Sequence, residues 1–118
     1  MREEVAEIAV GHKQESQHHL KRGSHMYKRV LALIKECLRD GCYVMTLHAE
    51  EEMDNDDLEI FDVENAIWTG KIIERQRDRE TGEWKYLLKG QALSGKYVIV
   101  VLKLSPIGKV VILTIYKE

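Results

Sequence analysis

Arg75 and Arg77 lie two residues apart in Lys71-Ile72-Ile73-Glu74-Arg75-Gln76-Arg77-Asp78, a β-prone run in which alternate side chains share a face. Two guanidinium groups on one strand face suit a phosphate, unless Glu74 and Asp78 simply pair with them at the surface. In the next run, Trp84 to Leu93, Lys85 shares a face with Lys89 and Gln91 among the apolar Leu87 and Leu93, while Trp84 and Tyr86 fall on the opposite side and read as core. His48 opens a helical segment. Histidine titrates near neutrality as a residue type, so this one serves as a general acid or base, or else as a structural cap. Tyr97 and Tyr116 stand near the ends of two apolar strands, where a tyrosine stacks a base, moves a proton, or merely keeps a wet hydroxyl. Cations aimed at developing negative charge, with one acid or base in reach, are what in-line attack on phosphate needs.

Charge is segregated along the chain behind a formal net charge of −2. Met26 to Gly70 holds four Lys/Arg and eleven Asp/Glu, whereas Lys71 to Glu118 holds ten and five. A basic half is what a polyanion-binding surface requires, because phosphate neutralisation supplies most non-specific nucleic-acid affinity. Lysines and arginines that protect strand ends and sheet edges would give the same count. His12, His18, His19 and His25 form a loose group without carboxylate or cysteine spacing for a coordination shell, so no metal and no cofactor is expected. Cys37 and Cys42 match neither a disulfide framework nor a four-ligand zinc site, and are expected to be reduced and partly buried.

At 118 residues the chain makes one domain, large enough to bury roughly two-thirds of its unfolded surface. Its apolar runs are far shorter than the ~20 residues of a membrane span, and Glu3, Glu4 and Glu7 do not suit a secretory leader, so a cytoplasmic location is the default. Gly23-Ser24-His25-Met26, preceded by His18-His19, resembles the scar of a cleavable tag; residues 1–25 are read as an extension, with a short helix through Val5, Ile8 and Ala9, and 26–118 as the domain.

Val30, Leu33, Ile34, Cys37 and Leu38 give an amphipathic helix from Tyr27 to Arg39, ended by Asp40-Gly41. Cys42 to Leu47 is a short β-rich run, an edge strand or an extended entry; Thr46 is placed to cap a second helix, and Ile60, Val63, Ala66 and Ile67 mark a third that stops at Gly70. Four strands follow: Lys71–Asp78, Trp84–Leu93, Lys96–Leu104 and Lys109–Tyr116, the last two joined through Ser105-Pro106-Ile107-Gly108. The fold expected is α+β, with two or three N-terminal helices packed on a four-stranded, mainly antiparallel sheet. The last two runs are apolar at nearly every position, which predicts at least partial cover on both faces, by helices or by another layer.

The order of these signals resembles a bacterial family known as domain of unknown function 4258. The matching residues are His48-Ala49 with Glu51-Glu52-Met53, Ile60 to Ile67 with Gly70-Lys71-Ile72, Lys85-Tyr86-Leu87 with Gly90 and Gly95, and Val110 to Tyr116. The family is similar in layout to the MqsR-type and RelE-type toxins of toxin–antitoxin systems. That likeness implies a metal-independent endoribonuclease that cuts messenger RNA by attack of the ribose 2′-hydroxyl, neutralised by a cognate antitoxin of the MqsA-like zinc-finger kind. It implies a site drawn from His48, Arg75, Arg77, Lys85 and Tyr116, with RNA as substrate. The alternative is a non-catalytic binding module of the same fold, a degenerate toxin or a protein-interaction domain. Where many members carry an arginine in the helix after the histidine, this chain has Glu51 or Glu52. A catalytic site requires Arg75 or Arg77, a lysine and His48 or a tyrosine to converge on one cleft.

Overall fold

The computed structural model describes residues 20–118, with side chains from Tyr27 onward. The expected helix at Val5 to Ala9 and the side chains of the early histidines lie outside the described residues. Helix α1 (Leu20–Arg39) runs without interruption through the Met26 boundary. It buries Val30, Ile34, Cys37 and Leu38, the residues of the predicted stripe, and leaves Leu33 exposed. Gly41, at φ 75°, reverses the chain directly after the helix. This reversal brings the Cα atoms of Cys37 and Cys42 to 5.1 Å, and the two residues are paired as a disulfide. The expectation of free thiols is corrected accordingly: a tight turn joins two cysteines whose spacing alone gave no sign of pairing.

Five strands, not four, make the sheet. Strand β1 (Tyr43–Met45) lies parallel to β5 (Val110–Lys117), while β2 (Lys71–Arg77), β3 (Trp84–Gln91), β4 (Tyr97–Leu104) and β5 form an antiparallel meander, in the order β1-β5-β4-β3-β2. The short run after Cys42 is the edge strand its β-rich pattern allowed; its parallel partner, the last strand, comes from the far end of the chain, which local pattern cannot reveal. Helix α2 (Leu47–Asn55) then follows the same edge of β5 where β1 leaves off. Thr46 caps it by accepting the Ala49 N–H at 3.1 Å, and donates to the Leu113 carbonyl at 3.0 Å. The Thr114 hydroxyl meets Glu52 at 3.1 Å, and the Lys117 N–H meets Asp56 at 3.1 Å. Helix α3 (Ile60–Thr69) starts in a Glu59/Asp62 capping box and ends at Gly70.

Cross-strand pairing sorts the sheet into two faces. One carries Ile72, Leu88, Val100 and Ile115 in a row, and beside it Tyr86, Leu102 and Ile112. These are buried together with Val30 and Ile34 of α1 and with Val63, Ala66 and Ile67 of α3. Gly90 is what lets α3 lie this close, since a Cβ there would collide with the Ala66 carbonyl. Neither α1 nor α3 packs on the other face, which α2 reaches only from beyond β5, where Glu52 meets Thr114. The expected cover is partial here: on β4 the outward positions are Tyr97, Ile99, Val101 and Lys103, of which Ile99 is buried, Val101 and Lys103 are half-buried and Tyr97 is exposed. Among the described residues no helix is long and apolar enough to cross a membrane.

Candidate nucleic-acid interface

The five sequence candidates occupy three separate places. Arg75 and Arg77 pair across β2–β3 with Tyr86 and Trp84, so they project on the helix-bearing face, at its β2 edge. Lys85 and Tyr116 project on the open face. His48 sits on α2, beyond β5 at the opposite edge of the sheet. It is exposed, with Glu52 one helical turn on at 3.7 Å. From β5 to β2 is three strand spacings, roughly 14 Å. Even Lys85 and Tyr116, on one face, lie four residues out of register, because the row through Tyr116 meets Ile99 and then Lys89.

The open face has an order of its own. Its first row is Lys71, Lys89, Ile99 and Tyr116. Its second is Glu74, Leu87, Val101 and Thr114, and its third brings Gln76 opposite Lys85 and Lys103 opposite Val111. Tyr97 flanks the first row, opposite Gln91. Lysines thus stand at both ends of an apolar middle. Tyr97 and Tyr116 are 51% and 40% exposed, whereas Ile99 between them is 4% exposed although it lies outside the helix-covered core. Lys89 lies 4.9 Å over the Tyr97 ring and 2.8 Å from a Glu118 carboxylate oxygen. Lys103 holds Glu83 at 2.7 Å in a more sheltered pair. No carboxylate pairs with Lys71 or Lys85 at ion-pair distance among the described residues.

The β2–β3 corner is built differently. Both guanidiniums lie over the Trp84 ring, with Arg75 at 4.2 Å and Arg77 at 5.2 Å from its centroid. The Asp78 carboxylate, in the connecting turn, accepts the Thr81 and Glu80 N–H groups, which hold its pKa below the usual range. Tyr86 is fully buried beneath the arginines; burial pushes its phenol pKa up, and the Arg75 charge offsets part of that rise. Tyr43, on β1, donates to Glu64 of α3 at 2.8 Å, and burial together with that carboxylate raises its pKa to about 12.

Residues 45–117, more than half of the chain, match the family model described as Domain of unknown function (DUF4258). The chain belongs to the DUF4258 family. No curated protein and no solved structure matches it. The family match runs from the end of β1 through β5 and so contains the whole open face and the β2–β3 corner.

For this DUF4258 chain, sequence reasoning passed over Lys71, Lys103 and Trp84 as site residues. Two signals were available. Lys103 continues the period-two series of Tyr97, Ile99 and Val101, and the short turn from Asp78 to Glu83 fixes Arg77 opposite Trp84.

Proposed function

We propose that this DUF4258 domain is a non-catalytic binding module that takes single-stranded RNA on its open sheet face. One observation carries the reading: a sheet face on which neither α1 nor α3 packs, bearing two half-exposed tyrosines, with lysines at both ends of an apolar middle. Aromatic side chains stack bases at ~1–3 kcal/mol each with little regard to sequence, and lysines track the phosphates. Lys71 and Lys85 are available to phosphate directly. The Lys89–Glu118 pair is open to solvent, and such pairs contribute only about 0–1 kcal/mol, so a phosphate can replace the carboxylate.

The proposal stops short of an mRNA-cleaving toxin held by an antitoxin. Acid–base catalysis needs its groups within hydrogen-bond reach of the reacting atoms. Here the histidine, the arginine pair and the Lys85/Tyr116 pair lie at opposite edges and on opposite faces of the sheet.

Fluorescence anisotropy with a labelled RNA of about ten nucleotides tests the reading, with the recovered RNA run on a gel. Binding is expected, falling with salt at a log–log slope of about −2 to −3 for three or four lysine contacts. Tyr97→Ala and Tyr116→Ala should each weaken it roughly tenfold, and the RNA should be recovered uncut. Absence of binding at low salt would sink the RNA reading. Cleavage abolished by Tyr116→Phe would restore the toxin.

A further inference from the structure

We propose that the β2–β3 corner, on the helix side of the sheet, binds a phosphate group, with Arg77, the Trp84 indole N–H and the Tyr86 hydroxyl as donors and Arg75 as a flanking positive charge. The Trp84 Nε1 and the Tyr86 hydroxyl are both shut off from solvent and neither has an acceptor: the group beside the Tyr86 hydroxyl is the Arg75 guanidinium, which can only donate. Buried polar groups in folded proteins are nearly always satisfied, so two donors without an acceptor at alternate positions of one strand face point to a missing acceptor. Trp84 can only donate, and tyrosine can donate, so one acceptor group serves both. Two guanidiniums over the same indole ring make that acceptor an anion. Arg77 is exposed and meets no carboxylate at ion-pair distance among the described residues, so it is free to swing off the ring and close over an incoming oxyanion.

The site serves free phosphate or the phosphorylated end of a strand. Two cationic side chains suit the double charge of a terminal phosphate better than the single charge of an internal diester. Lys85 ties the corner to the open face: it lies between Trp84 and Tyr86 on β3 but projects to the other side, opposite Gln76. An RNA leaving the third row of the open face reaches the β2 edge there and can deliver its end to Arg77. This last step rests on the RNA reading; the phosphate site itself does not.

Trp68→Phe leaves Trp84 as the one tryptophan, and its emission is the readout. In that background the full chain is titrated with inorganic phosphate at constant ionic strength, then with one oligoribonucleotide carrying either a 5′-phosphate or a 5′-hydroxyl. A saturable change with phosphate is expected, weakened about tenfold or more by Arg77→Gln and by Tyr86→Phe, each of which removes a donor to a charged group. Tyr86→Phe takes away one buried hydroxyl without a change of shape, so the protein stays folded. The 5′-phosphate strand should bind more tightly than the 5′-hydroxyl strand, and Arg77→Gln should erase the difference. No saturable response to phosphate, or one untouched by both variants, overturns the site. Equal binding of the two strands overturns the RNA end as its source. A phosphate response without any binding of either strand supports the corner and refutes the RNA reading.

Discussion

The two faces of the sheet are made by the same four long strands, yet one is a core and the other a surface. On the helix side the side chains of successive strands meet α1 and α3, and Leu88, Leu102, Ile112 and Ile115 are fully buried. On the open side Ile99 is buried, while Tyr97 and Tyr116 keep roughly half of their surface in water. Alternation along each strand allows this, because neighbouring residues point to opposite faces and answer to different constraints. The helix face is fixed by volume, so its residues are large, apolar and interlocked. The open face is fixed by solubility and by whatever binds it, so lysines and tyrosines persist there.

The sharpest way to break this contrast is to disturb the packed side. Gly90→Ala should destabilise most, by several kcal/mol, since α3 must move off the sheet to make room, and overpacking alone costs ~1–3 kcal/mol. Leu102→Ala should cost ~2–5 kcal/mol, and Leu87→Ala on the open side only ~1 kcal/mol. Urea denaturation measures all three, and equal losses for Leu102 and Leu87 would erase the distinction between faces. Next in size, Thr46→Ala should cost ~0.5–2 kcal/mol, because its hydroxyl both caps α2 and ties it to Leu113.

Smaller effects separate the two ion pairs of the open face. Lys103→Met should lower stability by up to about 1 kcal/mol, and Lys89→Met by less, because the Lys103–Glu83 pair is the more sheltered. Melting curves at low and high salt would reveal the difference, and a larger loss for Lys89 would reverse the ranking. The smallest signal is a pH effect at Tyr43. Its folded pKa, about 12, lies above the unfolded value, so its contribution to stability is complete below about pH 10 and is lost as the pH climbs through 12. Tyr43→Phe should flatten that part of the alkaline unfolding curve while leaving neutral-pH behaviour of the open face intact.

Much of this fold is legible from residue pattern. The Val30-Ile34-Cys37-Leu38 stripe, the Thr46 cap, the Gly70 stop and the meander of four strands follow from local periodicity and turn chemistry. What escapes is everything set by distant partners. Strand β1 shows in its β-rich run, but its parallel place beside Val110 to Ile112 does not, and the Cys37–Cys42 pair closes because Gly41 turns the chain back. The candidate site divides in the same way. Period two correctly puts Arg75 with Arg77 and sets Lys85 opposite to Tyr86. It cannot say that α1 and α3 cover the arginine side, and that cover is what separates Arg75 and Arg77 from Lys85 and Tyr116.

The most direct test of RNA binding on the open face is chemical-shift mapping of the 15N-labelled protein titrated with a short single-stranded RNA. The changes should concentrate on Lys71, Lys89, Tyr97, Ile99 and Tyr116 and run toward Lys85, with α3 and the outer surface of α1 unmoved. Changes centred on α3 or α1, with the Tyr97 and Tyr116 resonances still, would contradict the account.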